Sequence, residues 1–300
     1  MHIPASMLNG SVCSVTLVAG AAGVVAAALA ARTAQEKPSP ARFAAVTALI
    51  FALQMLNYPV QDGTSGHMVG AMLAVALLGV PFAVISLSSV LAVQAFFFGD
   101  GGVNALGANI LNMACIGAGL LGFVFHRAVK VGVPHTAALA VASFLSVLAG
   151  AAVCSIQVAM SGAVEFGRVM PAMLSVHAVI GLGEALLTVA VVTVLHRAEK
   201  QWSSHEHACA VGAAALAIVA ASVSPFASGF PDGLEWVAEK LSFAAFNGLD
   251  IPAIFPDYQA TFINNPGLST VIAGCIGSGI VFACTFAIGR MLRTTRTGIV

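Results

Sequence analysis

Apolar runs long enough to cross a bilayer recur along almost the whole chain, and nothing else in it limits the fold as much. A spanning helix needs about 20 mostly apolar residues. Runs of roughly that kind lie at 8–31, 41–56, 68–79, 81–97, 107–126, 135–160, 170–195, 209–223 and 267–289. The third and fourth meet at LLGVP, where Gly79 and Pro81 interrupt a run too long for one span. A single kinked helix over 68–97 is the other way to read that stretch. Only 8% of the 300 residues are charged and 59% are hydrophobic, against about 25% charged in a soluble domain. The chain is therefore read as an all-α integral membrane protein, a polytopic helical bundle. About seven spans fall in 1–195, a cytoplasmic linker in 196–208, and a two-span C-terminal module in 209–300. A net charge of zero argues against nucleic acid as a partner, since phosphate binding needs clustered Lys and Arg. The six cysteines are isolated and read as small hydrophobes.

Lys and Arg favour cytoplasmic loops. With the N-terminus outside, the inside loops and their flanks hold Arg32, Lys37, Arg42, Arg127, Lys130, Arg197, Lys200, Arg290, Arg293 and Arg296, leaving Arg168 and Lys240 outside. The C-terminus is then cytoplasmic and the protein belongs in the cell membrane. ALAARTA near position 30 resembles a signal-peptide cleavage site, but no Lys or Arg precedes Arg32 to form the positive n-region. The first run is thus expected to stay as a span.

In this topology His2 of MHIPASMLNG lies outside, and NYPVQDGTSGHMVG brings His67 to the same side. The α-amine of Met1, the His2 amide nitrogen and the His2 imidazole can close two fused rings on a metal, with His67 as a fourth nitrogen. Four coplanar nitrogens suit Ni(II), Cu(II) or low-spin Co(II) better than tetrahedral Zn(II). A helix cap or an interfacial polar group is the plainer reading of His2.

Four stretches in order carry a resemblance: MHIP at 1–4, SGHMVGAMLAVALLGVP at 65–81, VQAFFFGDGGVNALGANILNM at 93–113 and HAVIGLGEALLT at 177–188. Together they resemble the substrate-binding subunit of energy-coupling-factor (ECF) ABC transporters for nickel and cobalt, the CbiM/NikM family. The resemblance implies metal held by Met1, His2 and His67, with Ni²⁺ or Co²⁺ as cargo and no cofactor. It further implies a transmembrane coupling protein and two ATPase subunits as partners. Many relatives continue HIPDG, where this chain has Ala5 and Ser6. No lysine here sits in a phosphate-binding loop, so ATP hydrolysis falls to separate chains.

Ser65, Asn104, Asn109 and Asn112 offer polar groups to orient a ligating imidazole or close the glycine-rich loop over it. His177 and Glu184 share a helix face within a span; a carboxylate there needs a partner, and a tie between helices is favoured over a metal path. Ala22, Ala26 and Ala30, four apart, permit close helix approach, and the resemblance makes this stripe a surface for the coupling protein. HRAEKQWSSHEH at 196–207, with three histidines, reads as a solvated linker. PDGLEWVAEKLSF at 231–243 resembles the small CbiN/NikN-type subunit, fused here, with Trp236 at the membrane interface and a net acidic loop around it. The competing function is an intramembrane metal-dependent enzyme built on His67, His177 and Glu184. It would need those ligands at one depth with an open coordination position.

Overall fold

The computed structural model describes residues 2–199, 204–243 and 253–293. It contains α1 (Gly10–Thr33), α2 (Pro40–Gln54), α3 (Ala71–Leu78), α4 (Val80–Phe98), α5 (Leu106–Lys130), α6 (His135–Met160) and α7 (Phe166–Glu199). The C-terminal part adds α8 (His205–Val223), the short α9 (Gly233–Lys240) and α10 (Pro266–Arg293). Local chemistry sets several starts. Asn9 caps α1 by accepting from Val12 N at 3.1 Å, and Ser39 caps α2 by accepting from Arg42 N at 3.1 Å with Pro40 next. At α9, Asp232 and Glu235 form a reciprocal capping box.

Seven helices among the described residues are long and apolar enough to cross a membrane: α1, α4, α5, α6, α7, α8 and α10. The all-α polytopic architecture read from the sequence is the one adopted. Two of the nine apolar runs are shorter elements. The 15 residues of α2 reach about 22 Å at 1.5 Å each. The eight of α3 reach about 12 Å, well under half of a hydrocarbon core. The run over 68–79 is thus a short buried helix instead of a span, and 68–97 is two helices. Gly79 separates them with φ 79 and ψ 160, a backbone essentially reserved for glycine.

The core is shared between the two parts of the chain. α6 lies along α7, α1 packs on α4 and α5, and α2 is enclosed by α8 and α10. Val15, Val18, Leu186 and Phe226 stand exposed on outer faces, which water would penalise and lipid tails accept. At one end of the bundle Glu206 accepts from Ser39 N (2.7 Å) and Arg42 Nη1 (3.0 Å), pinning α8 to α2. Lys37 Nζ donates to Leu292 O (2.9 Å), tying α10 to that end. The expected linker is mostly helical: α7 runs on to Glu199 and α8 begins at His205, with Ser204 Oγ and His207 Nδ1 2.9 Å apart. Lys200 to Ser203 lie outside the described residues.

At the other end, Tyr58–Pro59 pairs antiparallel with Ser65–Gly66. The turn between them puts Asp62 and Gly63 at φ 52 and 76, and Thr64 N donates to Gln61 O at 2.9 Å. Two successive positive φ values are the signature of a tight type I′ hairpin. The C-terminal part docks on this hairpin. Ser65 N donates to Pro231 O (2.8 Å), Ser65 Oγ to Phe230 O (2.7 Å), and Ser228 N to Asn57 O (2.7 Å). Trp236 gives its indole N–H to Asp62 O at 3.1 Å.

Gly79→Ala forces a Cβ into a conformation costing about 1–3 kcal/mol. Its melting temperature in detergent should fall below wild type by a few degrees, read by fluorescence-detected unfolding.

Candidate metal site

Residues 2–4 carry no regular secondary structure and enter the bundle before the short 3-10 turn Ala5–Met7, with Pro4 extended. Ile3 is the anchor, with its side chain fully buried. Asn109, at the start of α5, grips its backbone with both ends of one amide. Ile3 N donates to Asn109 Oδ1 (2.9 Å) and Asn109 Nδ2 donates to Ile3 O (3.2 Å), while Gly102 N adds a bond to Ile3 O (3.0 Å). Gly101, at φ 77, lies where a Cβ would come within 2.8 Å of Asn109 Nδ2 and 3.4 Å of the His2 Cβ. Only glycine lets this loop pass so close.

This segment presents His2 to His67, which follows the hairpin. Their rings stack with centroids 5.1 Å apart and planes 14° apart, and both are buried. Each ring also meets a carboxylate. His2 Nδ1 is 3.2 Å from Asp100 Oδ1, and His67 Nε2 is 3.9 Å from Asp232 Oδ2. The second nitrogen of each is engaged elsewhere: His2 Nε2 with Gln94 Oε1 at 3.1 Å, His67 Nδ1 with Met68 O at 3.2 Å. A carbonyl only accepts, so His67 Nδ1 carries the hydrogen and Nε2 the lone pair. Burial lowers the pKa of both rings, His67 to about 3, despite the carboxylates nearby. Both are therefore neutral near pH 7, the state in which imidazole binds a metal. Burial pushes the Asp232 carboxyl up, but surrounding positive charge and a donated hydrogen bond hold it well below the usual range, so it stays ionised. The pair opens on a cavity of about 440 Å³ whose walls include Asp100, Asp232, Glu235 and Asp257.

Deep supports hold the site in register. Glu184 of α7 accepts from Val69 N (2.6 Å) and Gly70 N (2.9 Å), fixing the turn between His67 and α3. Gln54 Nε2 donates to Val69 O (2.7 Å) from α2. On the far side of His2, Gln94 Nε2 donates to the Tyr258 hydroxyl (3.0 Å), and that hydroxyl donates to Asp100 Oδ2. Burial and the adjacent Asp100 push the Tyr258 phenol well above its ordinary pKa, so it keeps its proton. Gln94 itself opens the wide π-helical last turn of α4, a feature frequent at functional sites.

The structure sorts the residues singled out from the sequence. His2 and His67 come together, and Met1 lies outside the described residues. Asn109 reaches the N-terminal segment. Asn112 does not: it exchanges two 2.8 Å hydrogen bonds with Gln157 of α6, because its side chain leaves α5 on another face. Asn104 is exposed on the loop and holds neither ring. Ser65 serves the docking of the C-terminal part, two residues from His67. His177 gives Nδ1 to Met173 O (2.8 Å) and packs under Gly233, so a Cβ at 233 would sit 2.9 Å from its Cε1. Glu184 is spent on two backbone N–H groups, and the His67, His177 and Glu184 arrangement of the enzyme reading does not form. Ala22, Ala26 and Ala30 are exposed along α1. Among the described residues no three His, Cys, Asp or Glu side chains are spaced to hold a metal ion.

Gln94, Asp100 and Tyr258 had no role in the sequence reading, and Asp232 entered it only as a turn residue of the net acidic loop. Two of them left a trace, since Asp100 and Asp232 are carboxylates beside glycine in a chain with few charges. Nothing marks Gln94, or Tyr258, which lies 158 residues from the Asp100 it bonds.

A bundle of apolar helices sinks two neutral imidazoles beside two carboxylates at one end, where they open to a polar cavity, as suits a polytopic membrane protein. Residues 2–202 match the family model described as CbiM, cobalt uptake substrate-specific transmembrane region, and residues 206–294 match the PDGLE domain. The chain belongs to the CbiM family and carries a PDGLE domain behind it, as MHIP, SGHMVG and PDGLE had indicated. It is 33% identical to the Archaeoglobus fulgidus protein named "Putative fused nickel transport protein NikMN", over 98% of this chain and 100% of the relative. It is 27% identical to the fused nickel transport protein NikMN of Rhodobacter capsulatus, over 94% and 95% of the two chains. A crystal structure of a truncated transition metal transporter superposes with a TM-score of 0.60 at 29% identity, covering 66% of this chain and 99% of that one.

Glu184→Ala strands two buried N–H groups at about 1–3 kcal/mol each. We expect a lower melting temperature together with weaker metal binding, because the turn behind His67 loses its anchor. Calorimetric titration and thermal unfolding on the same sample check both.

Proposed function

We propose that this chain is the metal-capturing membrane subunit of an ECF-type importer of Ni²⁺ or Co²⁺. The carrying observation is the stacked, buried, neutral His2–His67 pair, each ring with a nitrogen turned toward a carboxylate. A cation placed there is attracted by two imidazole nitrogens and two carboxylates, in a setting where charge interactions are strengthened by low dielectric. Because side chains alone do not make a three-ligand cluster among the described residues, main-chain nitrogen completes the set. The Met1 amine and the His2 amide lie next to the His2 imidazole in the chain and fill that need. Such a nitrogen-rich set suits Ni²⁺ or low-spin Co²⁺, and the relatives named NikMN weigh toward nickel. The metal is cargo, and no cofactor is required.

The PDGLE part closes one side of the cavity through Asp232 and its docking on Ser65, and so helps load metal. Release inward is driven by a transmembrane coupling protein and two ATPase subunits, with the exposed Ala22, Ala26 and Ala30 stripe as the contact for the coupling protein. The distribution of Lys and Arg puts the site outside and the C-terminus in the cytoplasm. The relatives are named as transport proteins, and Glu184 is committed to backbone, so an enzyme is disfavoured.

The test compares purified protein bearing its native N-terminus with a variant carrying one extra Gly before Met1. That extension moves the amine out of chelating position and leaves both histidines intact. Tight Ni²⁺ binding should drop by at least about 100-fold, two orders of magnitude or about 2.7 kcal/mol. Equal binding by both forms would sink the chelate. His67→Ala should also weaken binding and shift the ligand-field absorption of bound Ni²⁺.

A further inference from the structure

The hydrogen-bond directions around His2 run through a residue of the C-terminal part. A carboxylate only accepts, so the Tyr258 hydroxyl spends its one proton on Asp100 Oδ2. Its oxygen is left to accept, and it does so from Gln94 Nε2 at 3.0 Å. With its N–H side turned to Tyr258, Gln94 faces His2 with its carbonyl, and Oε1 lies 3.1 Å from His2 Nε2. That ring nitrogen must then carry the hydrogen, which leaves the lone pair on Nδ1. Of the two ring nitrogens, Nδ1 is the one close enough to the backbone to close a chelate ring with the amide nitrogen of its own residue. Nδ1 lies 3.2 Å from Asp100 Oδ1, but the hydrogen bond of the ring is the one from Nε2 to Gln94, so this approach does not place the proton on Nδ1.

We propose that Tyr258 is a positioning residue for the metal. From the loop between α9 and α10, its hydroxyl fixes, through Gln94 and Asp100, the His2 tautomer whose Nδ1 can chelate. This rests on the metal-capture reading above. The C-terminal part therefore does more than cover the cavity: it sets the chemistry of a ligand whose position in the chain is 256 residues earlier.

The seat of Tyr258 agrees with such a task. Its ring stacks on Phe98 with centroids 4.9 Å apart and lies 6.1 Å from Phe51, while Phe255 N donates to Phe97 O at 2.8 Å. Asp257 and Tyr258 sit at φ 50 and 56, a left-handed backbone that non-glycine residues adopt only when surrounding contacts enforce it. Gln94 and Asp100 bracket the end of α4, so one hydroxyl reaches both groups that touch His2.

Tyr258→Phe keeps the ring and its stack on Phe98 and removes only the hydroxyl. On the full chain with its native N-terminus in detergent, Ni²⁺ affinity should fall about 10–100-fold, the usual range for losing a partner that orients a metal ligand. The ligand-field band of bound Ni²⁺ should shift, with the melting temperature little changed. Asp100→Asn should act in the same direction, and the double variant should be no worse than the weaker-binding single one, since both break one chain of bonds. Tyr258→Phe binding with wild-type affinity and an unchanged band, while His2→Ala binds poorly, overturns the role of Tyr258 alone. Wild type binding no better than His2→Ala overturns the capture reading and this inference with it. A readout independent of any folding defect is nitrogen-15 NMR of histidine-labelled wild type without metal. A His2 ring protonated on Nε2 supports the assignment, and one protonated on Nδ1 refutes it.

Discussion

The carboxylate of Glu184, set deep in α7, accepts the N–H groups of Val69 and Gly70, and much of the site end follows from that contact. Without it the chain leaving His67 would bury two unmatched donors where no water replaces the lost bonds. With it, the turn into α3 is fixed, Gln54 secures the neighbouring Val69 carbonyl, and His67 is delivered at one height. The same turn carries the hairpin, on whose backbone and Ser65 the C-terminal part comes to rest. A single buried acid thus couples a helix in the middle of the sequence to both halves of the cavity wall.

Polar matching of this kind explains why so short a segment as His2-Ile3-Pro4 can be held inside an apolar bundle. Ile3 supplies burial, and Asn109 satisfies both backbone groups that burial would otherwise leave unmatched. The histidines are then desolvated, which keeps them neutral and available. Around them stand carboxylates, the sign that draws in a divalent cation. In a membrane protein with so few charges, placing several at one cavity is a concentrated electrostatic statement.

The part of the site that was readable was the part carried by local sequence. His2 and His67 were legible from their residue type and from counting spans, since an even number of crossings, here two, returns the chain to the side it started from. Asn109 was legible as one of three loop asparagines, though spacing could not separate it from Asn112, whose side chain leaves the same helix toward Gln157. Wide turns over Ile110–Leu120 alter the helical period there, so a count at 3.6 residues per turn misplaces faces. Asp232 belonged to the net acidic loop in the sequence; in the structure it caps α9 and also faces His67.

By itself the sequence determined that the chain lives in a bilayer, where most of its long apolar helices lie, and that two histidines belong to one end, because hydropathy and Lys/Arg placement are properties of segments. It also set the break at Gly79, where backbone sterics are local. Only the tertiary structure decided that the eight-residue α3 is buried instead of spanning, that Glu184 serves backbone and not metal, and that Tyr258, Gln94 and Asp100 meet around His2. Those outcomes depend on which donors face which acceptors after helices distant in sequence have packed, and no periodicity in the chain encodes that pairing.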